Sequence, residues 1–155
     1  MASSTLTLEN IDARCNCLAL RQASRYLTAC YDKALSDVGL RATQFSILYK
    51  LAKDDGIAIG GLASVMAMDR TTLATNLKPM ERDGLLTISP AVDDRRTKIV
   101  RITVAGRKRY REAFPIWERV QEQFETAYGH KRAGSLRQAA RSVLETGFDP
   151  WAENA

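Results

Sequence analysis

The chain has few of the residues that build covalent or metal-based sites. Its three cysteines, Cys15, Cys17 and Cys30, are odd in number and contain no CxxC pair, which argues against a disulfide scaffold. A single histidine, His130, argues against a histidine-based catalytic centre or zinc site. No nucleophile–base pair is visible either. We therefore expect no catalysis, no metal and no cofactor.

Long apolar runs are also absent. No run approaches the roughly 20 residues that a membrane helix needs, and the N-terminus MASSTLTLENID has neither a basic region nor an apolar core typical of a secretory signal. Apolar residues make up 45% of the 155 residues and charged residues 26%, which is ordinary for a globular chain. We expect one cytoplasmic domain with no membrane contact.

Positive charge is concentrated in one stretch of the chain. Residues 69–111 carry 11 Lys/Arg against 5 Asp/Glu, a net +6, although the whole chain is only +5. Residues 1–68 carry 7 against 6, and residues 112–155 carry 5 against 7. A basic segment of this kind is either a solvated surface or a contact for a phosphate backbone.

The N-terminal part predicts a long helix over residues 12–38, ended by Gly39. Two apolar faces on this helix favour burial against its own domain and against a second subunit. The two stripes are Ile11, Cys15, Leu18, Tyr26 and Cys30, and Leu20, Leu27, Tyr31, Leu35 and Val38.

The next stretch, from residue 43 to residue 84, predicts a helix capped by Thr43, a short strand at 57–59 and then two helices separated by a turn at 67–68. Asp69 is a good N-cap for the second of these, and Gly84 ends it. Leu73, Leu77 and Met80 share its core face at about 100° per residue. The opposite face suits a major groove, where polar and cationic side chains meet bases and phosphates. Its exposed residues are Arg70, Thr71, Thr72, Thr75, Asn76, Lys78 and Arg82.

Two half-buried strands follow, at 86–89 and 99–103, because apolar and polar residues alternate there. The polar loop between them, residues 90–97, carries two aspartates and then Arg95 and Arg96, with Lys98 just beyond. A ribbon with arginines near its tip is a natural probe of phosphates or the minor groove. At least one of the aspartates is expected to form a salt bridge with an adjacent arginine.

Helices complete the chain. Thr103 is expected to cap a long helix from about Val104, with Gly106 allowing close backbone packing near its start. A break over residues 129–134 precedes a last helix that ends at Gly147. The apolar faces of these terminal helices exceed what one small domain can cover, which favours a dimer.

With these elements in place, the chain resembles the MarR family of bacterial transcriptional regulators. The most specific motif is the wing pattern Asp-x-Arg-x5-Leu-Thr-x-x-Gly, which occurs here from Asp94 to Gly106 with Ile102 in the leucine position. The segment Met80-Glu81-Arg82-Asp83-Gly84-Leu85 after the helix-turn-helix supports the same resemblance.

The resemblance implies a mainly α fold with a small β-ribbon, in which residues 1–155 form a single winged-helix domain. Residues 12–38 and 104–148 would be dimerisation helices, and 43–103 the winged helix-turn-helix lobe. It implies a homodimer on a palindromic double-stranded DNA operator, usually a repressor and otherwise an activator, that is controlled by a small molecule or by oxidation. We expect the small molecule to be aromatic or phenolic. The implied DNA contacts are Arg70, Thr71, Thr72, Thr75, Asn76 and Lys78 on the recognition helix, and Arg95, Arg96 and Lys98 on the wing.

By position in the family, an effector pocket would lie between the dimerisation region and the DNA-binding lobe. Its lining would come from the first helix, the second helix and the long helix after the wing. The alternative for any one of these aromatic residues is plain core packing. The candidates are Tyr26, Tyr31, Phe45, Tyr49 and Trp117.

A second functional hypothesis is redox sensing through Cys17. The segment from Asn16 to Leu20 resembles the region around the reactive cysteine of the hydroperoxide-sensing branch of the family, where two tyrosines bond the sulfur. Tyr31 falls on one tyrosine position, but Arg21 stands on the other. On a continuous helix Cys15 and Cys17 would project about 200° apart and could not share a site. A third hypothesis is a winged helix that binds only proteins.

Overall fold

The computed structural model describes residues 8–148, and it divides the first predicted helix at Cys15. Helix α1 spans Leu8–Arg14 and α2 spans Asn16–Leu35. Cys15 between them is extended, with φ −80° and ψ 98°, and its Sγ accepts the N–H of Leu18 at 3.3 Å. The prediction of a continuous helix over 12–38 was therefore wrong, because the Cys15 thiol caps a new helix.

The C-terminal end of the predicted helix over 12–38 is also not α-helical. A 3₁₀ turn, Ser36–Val38, follows α2, and Gly39 ends it with a left-handed φ of 66°, the conformation for which glycine is best suited. Helix α3 then spans Ala42–Lys53. Its first amide, that of Ala42, donates to Oδ1 of Asp32 at 2.7 Å. The predicted cap at Thr43 was wrong, because a carboxylate from α2 performs that role.

The helix-turn-helix consists of α4, Ile59–Val65, and α5, Arg70–Arg82. Helix α4 begins at Ile59, the last residue of the strand predicted at 57–59, and includes Gly60 and Gly61. Ala67 turns the chain between the helices with a positive φ of 51°. Helix α5 continues through Pro79 and is followed by Gly84, whose φ is 74°.

Three antiparallel strands form the sheet in the order β1-β3-β2. Strand β1 is Ile57–Ala58, β2 is Leu86–Pro90 and β3 is Lys98–Ile102. Val100 at the centre of β3 lies opposite both Ile57 and Ile88. Because Val100 is fully buried, the inner face of the sheet closes one side of the core.

One hydrophobic core holds α2 to α6 and the sheet together. Leu35 from α2, Ile47, Leu48 and Leu51 from α3, and Leu62 from α4 are fully buried there. The core face predicted for α5 is confirmed, since Leu73, Leu77 and Met80 are also fully buried.

A close backbone contact joins α5, the sheet and α6. Helix α6 spans Val104–Tyr128 and begins beneath the turn that follows α5. The Thr103 hydroxyl donates to the carbonyl of Gly84 at 2.6 Å and accepts the N–H of Gly106 at 3.0 Å. A Cβ on Gly106 would overlap the carbonyl oxygen of Leu85. Both the predicted cap and the predicted close packing are therefore confirmed.

Residues 118–148 form a second compact body, which consists of the rest of α6 and helix α7, His130–Leu144. Gly129, with φ 96°, makes the turn between them. The predicted break over 129–134 was too long, because helix resumes at His130. Hydrogen bonds from Gln121, His130 and Arg137 lower the pKa of Glu125, in that order of importance. Within residues 8–148, no helix combines the length and apolar character needed to cross a membrane.

Replacing Gly106 with Ala should destabilise the fold by about 1–3 kcal/mol, because the added methyl group overpacks a site closed by backbone. Gly134→Ala is the matched control, since Gly134 also lies inside a helix but has nothing within 4 Å of its Cβ position. The control should stabilise by about 0.5–1 kcal/mol. Urea denaturation followed by circular dichroism measures both, and equal effects would contradict the packing described.

Candidate nucleic-acid interface

Asp69 organises the start of α5, as predicted. Its Oδ1 accepts the N–H of Thr72 at 2.8 Å, and its Oδ2 accepts the Thr72 hydroxyl at 2.6 Å. These bonds, the hydroxyl bond first, lower the pKa of Asp69 below its usual value. The carboxylate satisfies amides that a helix N-terminus leaves unpaired, so the first residues of α5 are held in helical geometry.

The exposed face of α5 presents the predicted polar residues on one side. The Thr75 hydroxyl donates to the carbonyl of Thr71 at 3.0 Å, and the Asn76 amide donates to that of Thr72 at 2.9 Å. Thr71 and Lys78 are exposed. These donors are satisfied within the helix, while the oxygens of Thr75 and Asn76 keep acceptor capacity. To donate to a base edge, Thr75 must exchange its carbonyl partner, whereas Asn76 has a second amide N–H.

Asp94 shapes the tip of the wing. Its carboxylate accepts the N–H of Arg96 at 3.0 Å and the Thr97 hydroxyl at 2.8 Å, and its own carbonyl accepts the N–H of Thr97. The amide bond first, and then the hydroxyl bond, lower the pKa of Asp94. Within residues 8–148, neither Asp93 nor Asp94 forms an ion pair. The predicted aspartate–arginine salt bridge was wrong, because backbone and hydroxyl donors take its place.

The wing and the recognition helix share a basic hollow of about 340 Å³. It receives Arg70 from α5, Arg96 from the wing and Lys98 from β3. Ala58, Ile59, Gly60 and Thr97 complete its lining. Three of the residues predicted to contact DNA are thus brought together, whereas Arg95 lies outside this lining and is exposed.

Two arginines of the basic stretch over residues 69–111 form hydrogen bonds within the protein. Arg107 on α6 donates to the carbonyl of Ala52 at 3.1 Å, near the end of α3, and Arg109 donates to that of Val38 at 2.8 Å. Both guanidinium groups thereby satisfy carbonyls at helix ends. The charge available to a phosphate backbone is therefore smaller than the net +6 of residues 69–111 indicates.

An aromatic cavity of about 300 Å³ lies between α3 and α6. Of the predicted effector-pocket residues it includes Phe45, Tyr49 and Trp117; Phe45 stacks on Trp117 with ring centroids 5.8 Å apart. Burial, and then the neighbouring Tyr49, raise the pKa of the Tyr110 phenol. The residues that sequence reasoning missed are Ser46, Tyr110 and Phe114.

Two of the predicted aromatic residues lie elsewhere. Tyr26 is 69% exposed on α2, and Tyr31 packs against the hydrophobic core; neither lines the aromatic cavity. Cys17, the redox candidate, is an exposed free thiol near the start of α2. Because Cys15 is not helical, the separation of about 200° predicted between Cys15 and Cys17 on a continuous helix does not apply. Redox sensing through Cys17 stays a prediction.

Comparison with known proteins places this geometry in a family. A model of the MarR family matches residues 40–98. The transcriptional regulator HosA of Escherichia coli O111:H- is 31% identical over 105 residues, which are 68% of this chain and 76% of HosA. The transcriptional activatory protein BadR of Rhodopseudomonas palustris is 29% identical over 64% of this chain, but the match spans only about half of BadR (54%).

A solved structure agrees in sequence and in fold. The M. tuberculosis transcriptional regulator MosR, crystallised in complex with DNA, is 34% identical. The match covers 83% of this chain and 98% of MosR, with a TM-score of 0.70. The architecture is that of a winged helix-turn-helix DNA-binding regulator. The chain belongs to the MarR family of transcriptional regulators.

Replacing Asp94 with Ala should weaken DNA binding about tenfold, the scale of losing a charge-assisted hydrogen bond that orders the wing. Asp93→Ala is the matched control, because it removes the same negative charge from the same exposed loop. That control should bind DNA at least as well as the wild type. Gel-shift titrations measure both, and equal affinities for the two variants would contradict the ordering role of Asp94.

The same hydrogen bonds predict how the wing responds to acid. Because the folded pKa of Asp94 lies below the usual 3.8, its contribution is present above pH 3.8 and is lost as pH falls through the lowered value. Hydrogen exchange at the Arg96 amide, which donates to the Asp94 carboxylate, should show protection falling across that range in the wild type.

Proposed function

We propose that the chain works as a homodimeric repressor that binds a palindromic DNA operator and is released by a small aromatic or phenolic effector. The main observation in favour of DNA binding is the basic hollow, in which cations of the recognition helix and of the wing lie on one surface. Likeness to MosR, a protein solved with DNA, supports the same interpretation. A protein-only interaction module would not need these cations.

In this proposal α5 enters a major groove. Thr71, Thr72, Thr75 and Asn76 face base edges, and Lys78 serves bases or phosphates. The wing follows the adjacent backbone and minor groove through its own three cations. These are Arg95, Arg96 and Lys98.

Exposed apolar side chains support the dimer. In α1 and α2, Ile11 is 48% exposed, Leu20 42% and Tyr26 69%. In the second body, Leu144 is 73% exposed and Phe148 82%. Apolar surfaces in these helices are what a second copy would cover. We therefore assign residues 12–38 and 104–148 to dimerisation and 43–103 to the DNA-binding lobe, in one domain covering residues 1–155.

The aromatic cavity supports the proposal that a small-molecule effector binds this protein. Its walls are aromatic rings, while the hydroxyl groups of Ser46, Tyr49 and Tyr110 have no hydrogen-bond partner among residues 8–148. A ring with a polar substituent can stack on Phe45 or Trp117 and use these hydroxyls. Such a compound would release DNA if it bound more tightly to the protein conformation that does not bind DNA. The equilibrium between the two conformations would then shift by the difference between its two affinities.

DNA binding is tested with the protein's own upstream DNA in gel shifts. Affinity should fall by about 10³-fold or more between 50 and 200 mM salt, because phosphate contacts release counterions. Arg96→Ala should weaken binding to all sequences, whereas Arg141→Ala, which removes an exposed arginine from α7, should not. Binding that is absent at low salt, or that survives charge reversal at Arg95 and Arg96, would reject DNA recognition by this surface.

The effector proposal is tested with benzoate and phenol as probes. The chain has two tryptophans, so Trp151→Phe leaves Trp117 in the cavity as the only tryptophan, which is excited selectively over tyrosine. Either probe should change Trp117 fluorescence saturably, and Ser46→Leu should abolish the change by filling the cavity. Ser64→Leu, at an exposed position on α4, is the control. A response that persists unchanged in Ser46→Leu would exclude the aromatic cavity as the binding site.

A further inference from the structure

The basic hollow brings together three cations, and its lining, within residues 8–148, includes no counter-charge. Arg70, Arg96 and Lys98 come from three different elements, and all three are exposed. Within residues 8–148, none of their side chains forms an ion pair. No carboxylate belongs to the lining. Like charges that converge in this way repel one another, so the arrangement favours binding of an anion.

The two nearest carboxylates in sequence are engaged elsewhere. Asp69, next to Arg70, accepts the amide and hydroxyl of Thr72. Asp94 accepts the amide of Arg96 and the hydroxyl of Thr97. Both carboxylates accept backbone and hydroxyl donors beside the cations, and neither forms an ion pair within residues 8–148.

The absence of a side chain at Gly60 leaves room for the Arg70 guanidinium. A Cβ at Gly60 would lie 3.1 Å from Nη2 of Arg70, which is tighter than ordinary contact. The guanidinium therefore lies directly over the backbone of α4. A methyl group at this position would require the Arg70 guanidinium to shift by a few tenths of an ångström without changing any charge.

We propose that Arg70, Arg96 and Lys98 together bind a single backbone phosphate of DNA at the junction of recognition helix and wing. This inference rests on the proposed DNA-binding function and divides the wing arginines by role. Arg96 holds the phosphate with the other two cations. Arg95, which lies outside the hollow, is the arginine that probes the groove.

Sharing one phosphate has a measurable consequence. Each neutralised phosphate contributes about 0.9 to the slope of log affinity against log salt. If three cations act on one phosphate, removing any one of them leaves it largely neutralised and changes the slope little. Removing all three should lower the slope by about 0.9 per chain. Three independent contacts would instead lower the slope by about 0.9 per chain in each single variant and by about 2.7 per chain in the triple variant.

The first experiment needs no DNA. Inorganic phosphate is titrated into the full chain at constant ionic strength, and the amide resonances of Gly60 and Thr97 are followed by NMR. We expect a saturable shift, weakened at least fivefold by Arg96→Ala and changed less than twofold by Arg95→Ala. Gly60→Ala should weaken phosphate binding although it keeps every charge. The absence of a saturable shift, or equal effects of Arg95→Ala and Arg96→Ala, would overturn the proposal.

The second experiment separates free phosphate from DNA backbone phosphate. Salt slopes are measured for the wild type, the three single alanine variants and the triple variant on the protein's own upstream DNA. Small changes in the single variants with a loss of about 0.9 per chain in the triple variant support the shared phosphate. A loss of about 2.7 per chain overturns it. If the wild type binds no DNA, the DNA-binding function itself fails, whatever the NMR titration shows.

Discussion

The contact between Gly106 and the Leu85 carbonyl is the constraint on which the DNA-binding surface depends. It allows α6 to begin directly beneath the turn that follows α5, where the Thr103 hydroxyl bonds both segments. Since Thr103 follows β3, the wing, the recognition helix and α6 share one fixed junction. The junction therefore holds the end of α5 against the sheet whose strand β3 carries Lys98.

Charge in this protein is divided between folding and recognition. Arg107 and Arg109 stabilise carbonyl groups at the ends of neighbouring segments, and Asp69 and Asp94 do the same for amide groups. Within residues 8–148, the side chains of Arg70, Arg96 and Lys98 in the basic hollow form no such bond. This division is consistent with membership of the MarR family of DNA-binding transcriptional regulators. The same α6 arginines fasten a helix that forms one wall of the aromatic cavity.

Local chemistry made much of the fold predictable from the sequence. The Asp69 cap, the Gly84 end, the alternating strands and the Thr103–Gly106 junction each follow from residue type and spacing. Interactions between distant segments were not predictable: Asp32 caps a helix ten residues away, and Arg107 reaches Ala52. Tyr110 and Phe114 were missed because helical periodicity does not show which face meets α3. The break at Cys15 was missed because a thiol is an uncommon cap. The individual DNA contacts remain predictions.

The most direct test of the central claim is the mass of the complex that the protein forms with its own upstream DNA, measured by sedimentation equilibrium. The account predicts two 17.2-kDa chains per operator, each presenting one recognition helix to successive major grooves about 10 base pairs apart. A complex that contains one chain per operator at saturating protein would contradict it.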